Sequence, residues 1–161
     1  MYTAARRAGK VSFLWRWELA GHPRDAAAWR MIHDFANSAF PGAGAAFSDM
    51  HIGLAQAVAG NQAELEARKR QVDEFAHNGR YSSGLCVPAV SQAFAAFERR
   101  DFAAAIDALD PIAGELERIG GSRLQLDLVE FTLLKAYLDA DRPDDARRMA
   151  SVRRPRPSAV H

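Results

Sequence analysis

The sequence predicts an all-α protein, an α-solenoid built from about four stacked helical hairpins. Helix–turn–helix segments recur at intervals of about 40 residues, which is the signature of a repeat architecture. Apolar residues recur at helical spacing, and no segment alternates apolar and polar residues as a half-buried strand does. Alanine, the strongest helix former, is used heavily throughout the 161 residues.

Four turn segments mark the repeat. In each of them one helical pattern ends, a short turn follows, and a new helical pattern begins. A small or apolar residue stands five positions after the turn residue in all four segments, and these residues are Ala26, Leu65, Ala105 and Ala146. Their separations are 39, 40 and 41 residues. A unit of about 40 residues holds two helices of about 14 residues together with their turns.

The helices follow from this repeat in order. The first helices of the four hairpins are predicted at residues 11–20, 48–59, 88–99 and 123–139. The second helices are predicted at residues 23–39, 62–78, 101–119 and 143–153. We expect residues 1–161 to form a single helical-repeat domain whose ends, 1–10 and 152–161, are frayed.

The second helix of the third hairpin carries the clearest pattern. Phe102, Ile106 and Leu109 are separated by four and three residues and form one apolar stripe. Pro111 lacks the amide that would continue the helix and crowds the preceding turn. We therefore expect a kink or a restart of the helix at Asp110.

Composition and charge exclude several classes of protein. The formal net charge is +1, so no overall field favours nucleic acid or a membrane surface. The single Cys86 excludes an internal disulfide and fits a reducing compartment. No apolar run reaches the length of about 20 residues that spans a bilayer, and no secretory signal pattern is present. We expect a cytoplasmic protein with neither a membrane nor a nucleic-acid partner.

Three blocks of the sequence carry a family resemblance. They are SFLWRWELAG at 12–21, AFSDMH at 46–51 and IGGSRLQLD at 119–127. In order and approximate spacing they resemble the blocks LLWRLEL-G, F-N-D-x-H and IGGSHAQRD of the tetratricopeptide repeat protein 38 family. The likeness covers the C-terminal portion of longer members, and Arg123 and Leu126 stand where the family has histidine and arginine. A period of about 40 residues also fits HEAT-type hairpins, but the resemblance implies a tetratricopeptide-like solenoid without an established catalytic activity.

The resemblance also suggests where a ligand would bind, because first helices line the concave face of tetratricopeptide-like arrays. The candidate binding residues on these helices are Asp49, His51, Gln92, Arg123 and Asp127. The leading hypothesis is a module that binds a peptide or protein segment in that groove. The alternative is a small-molecule-binding protein or an enzyme of unknown reaction, which requires His51, Arg123 and Asp127 to converge within hydrogen-bonding reach at one pocket.

Structural roles compete with these hypotheses. Asp49 and His51 are two residues apart, so they do not face each other on a helix. Asp49 would then act on the helix dipole from the first turn, and His51 would be packed or hydrogen-bonded nearby. Trp15 and Trp17 point to different sides of their helix, so at least one of them belongs to the core.

No catalytic constellation is visible in the sequence. The histidines lack metal-ligand spacing and Cys86 has no neighbouring base, so we predict no catalytic residue, no metal and no cofactor. We expect a protein or peptide partner. A homodimer formed through the N-terminal hairpin is a further alternative, because Phe13, Leu14 and Trp17 would form an apolar patch there.

Overall fold

The structure is a computed structural model that describes residues 2–152, with the side chains of 2–8, 124, 125 and 152 left aside. The described residues form eight α-helices and two short 3-10 helices, and they contain no strand, so the all-α class is confirmed. The α-helices are α1 Tyr2–Leu19, α2 Ala26–Ala39, α3 Ala46–Ala59, α4 Gln62–His77, α5 Cys86–Glu98, α6 Phe102–Leu109, α7 Arg123–Asp139 and α8 Pro143–Val152. The 3-10 helices are Asp110–Ile112 and Leu116–Ile119.

The observed helices lie close to the predicted ones, with two differences. Helix α1 begins at Tyr2 and includes residues 2–10, which the sequence predicts to be frayed. The segment 101–119, predicted as one helix, is divided, because α6 ends at Leu109 and a 3-10 helix follows. The expected break at Asp110 is confirmed. Of the C-terminal segment 152–161 that the sequence predicts to be frayed, Val152 belongs to α8 and residues 153–161 lie outside the described residues.

Consecutive hairpins pack against each other along the chain. The second helix of each of the last three hairpins packs on its own first helix, giving the pairs α3–α4, α5–α6 and α7–α8. The second helices also pack on the first helix of the next hairpin, giving α2–α3, α4–α5 and α6–α7. The consecutive first helices α1, α3, α5 and α7 contact one another in that order.

The packing also includes a contact between the first and the last hairpin, which the predicted α-solenoid does not include. Helix α1 packs against α7, and this contact is more extensive than the contact of α1 with its own hairpin partner α2. The four first helices therefore surround a common centre. An open solenoid keeps its terminal hairpins apart, because each unit contacts only its neighbours. The tetratricopeptide-like arrangement is consequently not confirmed by the packing of the hairpins.

Small residues let the first helices approach closely. A Cβ atom added at Gly53 of α3 would lie 3.0 Å from Oγ of Ser91 on α5. Ala55 on α3 and Ala93 on α5 are completely buried. Because the distance between packed helices is set by the side chains at their contact, these residues bring α3 and α5 together.

Candidate binding groove

The candidate site is the groove that α3, α5 and α7 form beneath α1, here called the α1 groove. Val11, Ser12 and Trp15 of α1 are buried, and Trp15 is only 1% exposed. These residues fall on one face of the helix because they lie three and four positions apart. Helix α1 therefore enters the groove as an amphipathic helix enters a recognition groove.

Trp15 makes the central contacts in the α1 groove. Its ring packs edge-on against Phe94 and Phe97 of α5, with centroid distances of 6.0 and 5.5 Å. Its indole Nε1–H donates a hydrogen bond of 2.7 Å to Oγ1 of Thr132 on α7. The Thr132 hydroxyl in turn donates to the carbonyl of Leu128 at 2.7 Å. Trp15 thus joins α1 to α5 and α7. Thr132 is 0% exposed, so its hydrogen bond with Trp15 is shielded from water.

His51 holds α1 to α3. Its Nδ1 lies 2.8 Å from the carbonyl oxygen of Phe47, so Nδ1 carries the proton and donates. Its Nε2 then accepts from the hydroxyl of Ser12 at 3.0 Å. Burial lowers the pKa of His51 to about 4, although the bond to Phe47 opposes this shift. The imidazole is therefore neutral at neutral pH and both of its nitrogens are engaged.

Asp49 organises the chain around the start of α3. Its carboxylate accepts hydrogen bonds from the amides of Gly44 and Ala45, both at 2.9 Å, and from the hydroxyl of Tyr81 at 2.6 Å. The guanidinium of Arg68 on α4 lies 3.4 Å away. Burial, and then the bond to Asp49, raise the pKa of Tyr81 well above its ordinary value. Asp49 is buried, so its contacts are structural, as the first-turn interpretation predicts.

Of the other predicted residues, Arg123 and Asp127 pair with each other on α7. Arg123 contacts Oδ1 of Asp127 at 3.3 Å and Oε2 of Glu130 at 3.0 Å. Asp127 is buried, whereas Gln92 on α5 is exposed. The structure thus brings Arg123 and Asp127 together. Convergence of Arg123 and Asp127 with His51 at one pocket stays a prediction.

Sequence reasoning missed two residues of the α1 groove. Ser12 carried no signal except its position three residues before Trp15, on the same helical face. Thr132 lies between apolar residues of α7 and is completely buried. A buried hydroxyl requires a hydrogen-bond partner. Trp15 is buried and Trp17 is 43% exposed, which confirms that the two point to different sides of α1.

A second polar cluster joins α2 to α3 and α4. Oε2 of Glu64 lies 2.6 Å from Nε2 of His33 and accepts from the amide of Asn37 at 2.7 Å. The amide of Gln56 donates to Oδ1 of Asn37 at 3.1 Å. The bond from Asn37 holds the pKa of Glu64 below its ordinary value. Asn37, Gln56 and Glu64 border a cavity of about 280 Å³, and Oε1 of Gln56 is buried there without a hydrogen-bond partner. The described residues hold no group of three metal-ligating side chains.

Two large aromatic side chains of α1 are exposed. Phe13 is 56% exposed, and Trp17 stacks on the ring of His22 with a centroid distance of 3.6 Å. Leu14 is half-buried. The exposure of Phe13 and Trp17 at the N-terminal hairpin is therefore confirmed, and dimerisation through this face stays a prediction.

Comparison of the chain with protein-family models, with curated proteins and with solved structures finds no match. The resemblance to the tetratricopeptide repeat protein 38 family therefore stays a prediction. Among the described helices, none combines the length and the apolar character that crossing a membrane requires. Any functional conclusion must therefore rest on the geometry of the chain itself.

Proposed function

We propose that this chain is a helical-repeat interaction module that binds an amphipathic α-helix of a partner protein in the α1 groove. The observation that supports the proposal most strongly is α1 itself, which occupies this groove and inserts Trp15 between α5 and α7. Binding of this kind is helix-in-groove recognition, in which anchors at spacings of three and four residues enter an apolar groove. In this proposal α1 is an internal ligand that a partner's helix replaces.

The attachment of α1 is compatible with such replacement. The connection from α1 to α2 covers residues 20–25, and α1 packs less against α2 than against α7. The groove, and not the hairpin, therefore supplies most of the contacts that hold α1. A tethered helix has an effective concentration of about a millimolar, so a partner needs tighter contacts than α1 to displace it.

The chemistry of the groove favours a helix over a small polar ligand. The aromatic wall of Phe94 and Phe97 accepts a large ring. Of the predicted binding residues, His51 contacts α1, through Ser12. Buried aromatic anchors of this kind contribute most of the affinity in protein interfaces. The proposal therefore rests on the aromatic part of the groove more than on the polar residues that the sequence suggested.

Cleavage of the connection between α1 and α2 tests the proposal, because it separates α1 from the groove that α1 occupies. A recognition site for a specific protease is placed within residues 20–25, and the folded protein is cut. The released N-terminal segment is removed in mild denaturant, and a fluorescent peptide of residues 2–21 is added after refolding. We expect saturable binding, measured by fluorescence anisotropy.

The control peptide carries Trp15→Ala. Because removal of a buried tryptophan costs about 3 kcal/mol or more, this peptide should bind at least about 100-fold more weakly. Equal binding of the two peptides, or no binding to a cut protein that keeps its helical circular dichroism, would contradict the proposed function.

A further inference from the structure

The α1 groove also contains two buried hydrogen-bonding groups whose chemistry specifies the ligand. Resting on the proposed function, we infer that the groove selects helices that present a hydroxyl and an indole N–H three residues apart, with the pattern Ser/Thr-x-x-Trp. In α1 these groups are Ser12 and Trp15. The contacts that make the selection are provided by His51 on α3 and Thr132 on α7.

Thr132 presents an acceptor to the ligand. Its hydroxyl hydrogen is used in the bond to the carbonyl of Leu128, so Oγ1 faces Trp15 with its lone pairs. Oγ1 is buried together with the rest of Thr132. A ligand ring without an N–H would leave this acceptor unpaired in a dry site, and such a loss weakens binding more than a missing apolar contact does.

His51 presents a second acceptor. Its Nδ1–H is used in the bond to the carbonyl of Phe47, which leaves the lone pair of Nε2 for the ligand. The ring is 3% exposed, so water does not reach Nε2 when α1 is bound. A hydroxyl satisfies this acceptor, whereas alanine at the same position leaves it unpaired.

The placement of the two acceptors also fixes how the ligand helix lies. Ser12 and Trp15 are three residues apart and share one face of α1. Their partners are on α3 and α7, the two helices that pack on either side of α1 in the closed stack. A helix that satisfies both acceptors is therefore held in a single rotation and a single register.

The experiment uses five synthetic peptides of residues 2–21, the native one and four variants, and a cut chain whose helical circular dichroism is first compared with that of the intact protein. In one peptide Trp15 is replaced by benzothienylalanine, which keeps the shape of the indole but has sulfur in place of N–H. A second peptide carries Ser12→Ala. We expect each to bind about tenfold more weakly than the native peptide, since an unpaired buried acceptor costs about that much. The matched controls Phe13→Ala and Trp17→Ala alter exposed side chains and should bind within about twofold of the native peptide.

The reciprocal variant is Thr132→Val in the cut chain. Valine has nearly the shape of threonine and no acceptor, so the preference for indole over benzothiophene should disappear. Failure of every peptide to bind a cut chain that keeps its helical circular dichroism would contradict the proposed function. If the native, benzothienylalanine and Ser12→Ala peptides all bound the cut chain with equal affinity, the inference about selection would be overturned. The proposed function would still stand.

Discussion

The first and the third hairpins use similar parts but pack differently. In both, an aspartate caps the second helix: Asp25 accepts from the amide of Ala28 at 2.9 Å, and Asp101 accepts from the amide of Ala104 at 3.1 Å. The connection in the third hairpin covers only residues 99–101, and α5 and α6 pack along each other. The connection in the first hairpin covers residues 20–25, and α1 leaves α2 and packs on α7.

The difference shows which contacts decide the position of a helix. A short connection constrains two consecutive helices to be neighbours, as in the third hairpin. The longer connection in the first hairpin is attached elsewhere, because Arg24 pairs with Glu18 and, through two bonds of 2.8 and 2.9 Å, with Glu98 at the end of α5. The position of α1 therefore depends on contacts distant in sequence.

The largest expected effect comes from Trp15→Ala, which removes the main contact of α1 with α5 and α7. The variant should lose about 3–5 kcal/mol of unfolding free energy, because a fully buried ring leaves a cavity. Equilibrium unfolding in urea measures the loss. The matched variant Trp17→Ala, on the outward face of the same helix, should lose less than about 1 kcal/mol. Similar losses for the two variants would mean that α1 is not docked through Trp15.

The second prediction concerns pH and the contact of α1 with α3. The pKa of His51 is about 6.5 in the unfolded chain and about 4 in the folded protein. Because the unfolded state binds the proton more readily, the stabilisation is complete above pH 6.5 and is lost as the pH falls towards 4. The wild type should lose about 3 kcal/mol relative to His51→Gln between pH 7 and pH 4. Parallel pH profiles of the two proteins would contradict this.

The caps provide a smaller effect that should be equal in the two hairpins. Asp25→Ala and Asp101→Ala should each lower the unfolding free energy by about 1 kcal/mol, since a cap acts on the first turn of its own helix. Asp107→Ala, an exposed position within α6, serves as the control and should cause no loss. A much larger loss at one cap would show that capping depends on how the hairpin packs.

The smallest effect concerns the ion pair that joins the two hairpins. A double-mutant cycle of Arg24→Gln and Glu98→Gln should give a coupling energy of about 0.5–1 kcal/mol, because the pair is partly exposed. High salt should reduce this coupling. Strictly additive losses would indicate that the first connection is not held against α5.

Local signals in the sequence were sufficient for the helices. Asp101 and Pro111 mark the beginning and the end of α6, and the bounds of α7 coincide with the predicted 123–139. Each of these signals acts within a few residues, so it can be read without knowledge of the packing.

The closure of the stack could not be predicted in the same way. Helical periodicity shows which face of α1 is apolar, but it does not show which helix covers that face. Trp15 and Thr132 are 117 residues apart, so no local signal indicates their contact. The sequence suggests His51 as a ligand-binding residue. In the structure His51 binds the hydroxyl of Ser12 and so connects α3 to α1.

The most direct test of the docked α1 is the proton–proton nuclear Overhauser spectrum of the intact chain. The indole N–H of Trp15 should show cross-peaks to the side chain of Thr132 and to the ring protons of Phe94 and Phe97. Cross-peaks from Trp15 to α2 alone, with none to α5 or α7, would contradict the closed arrangement.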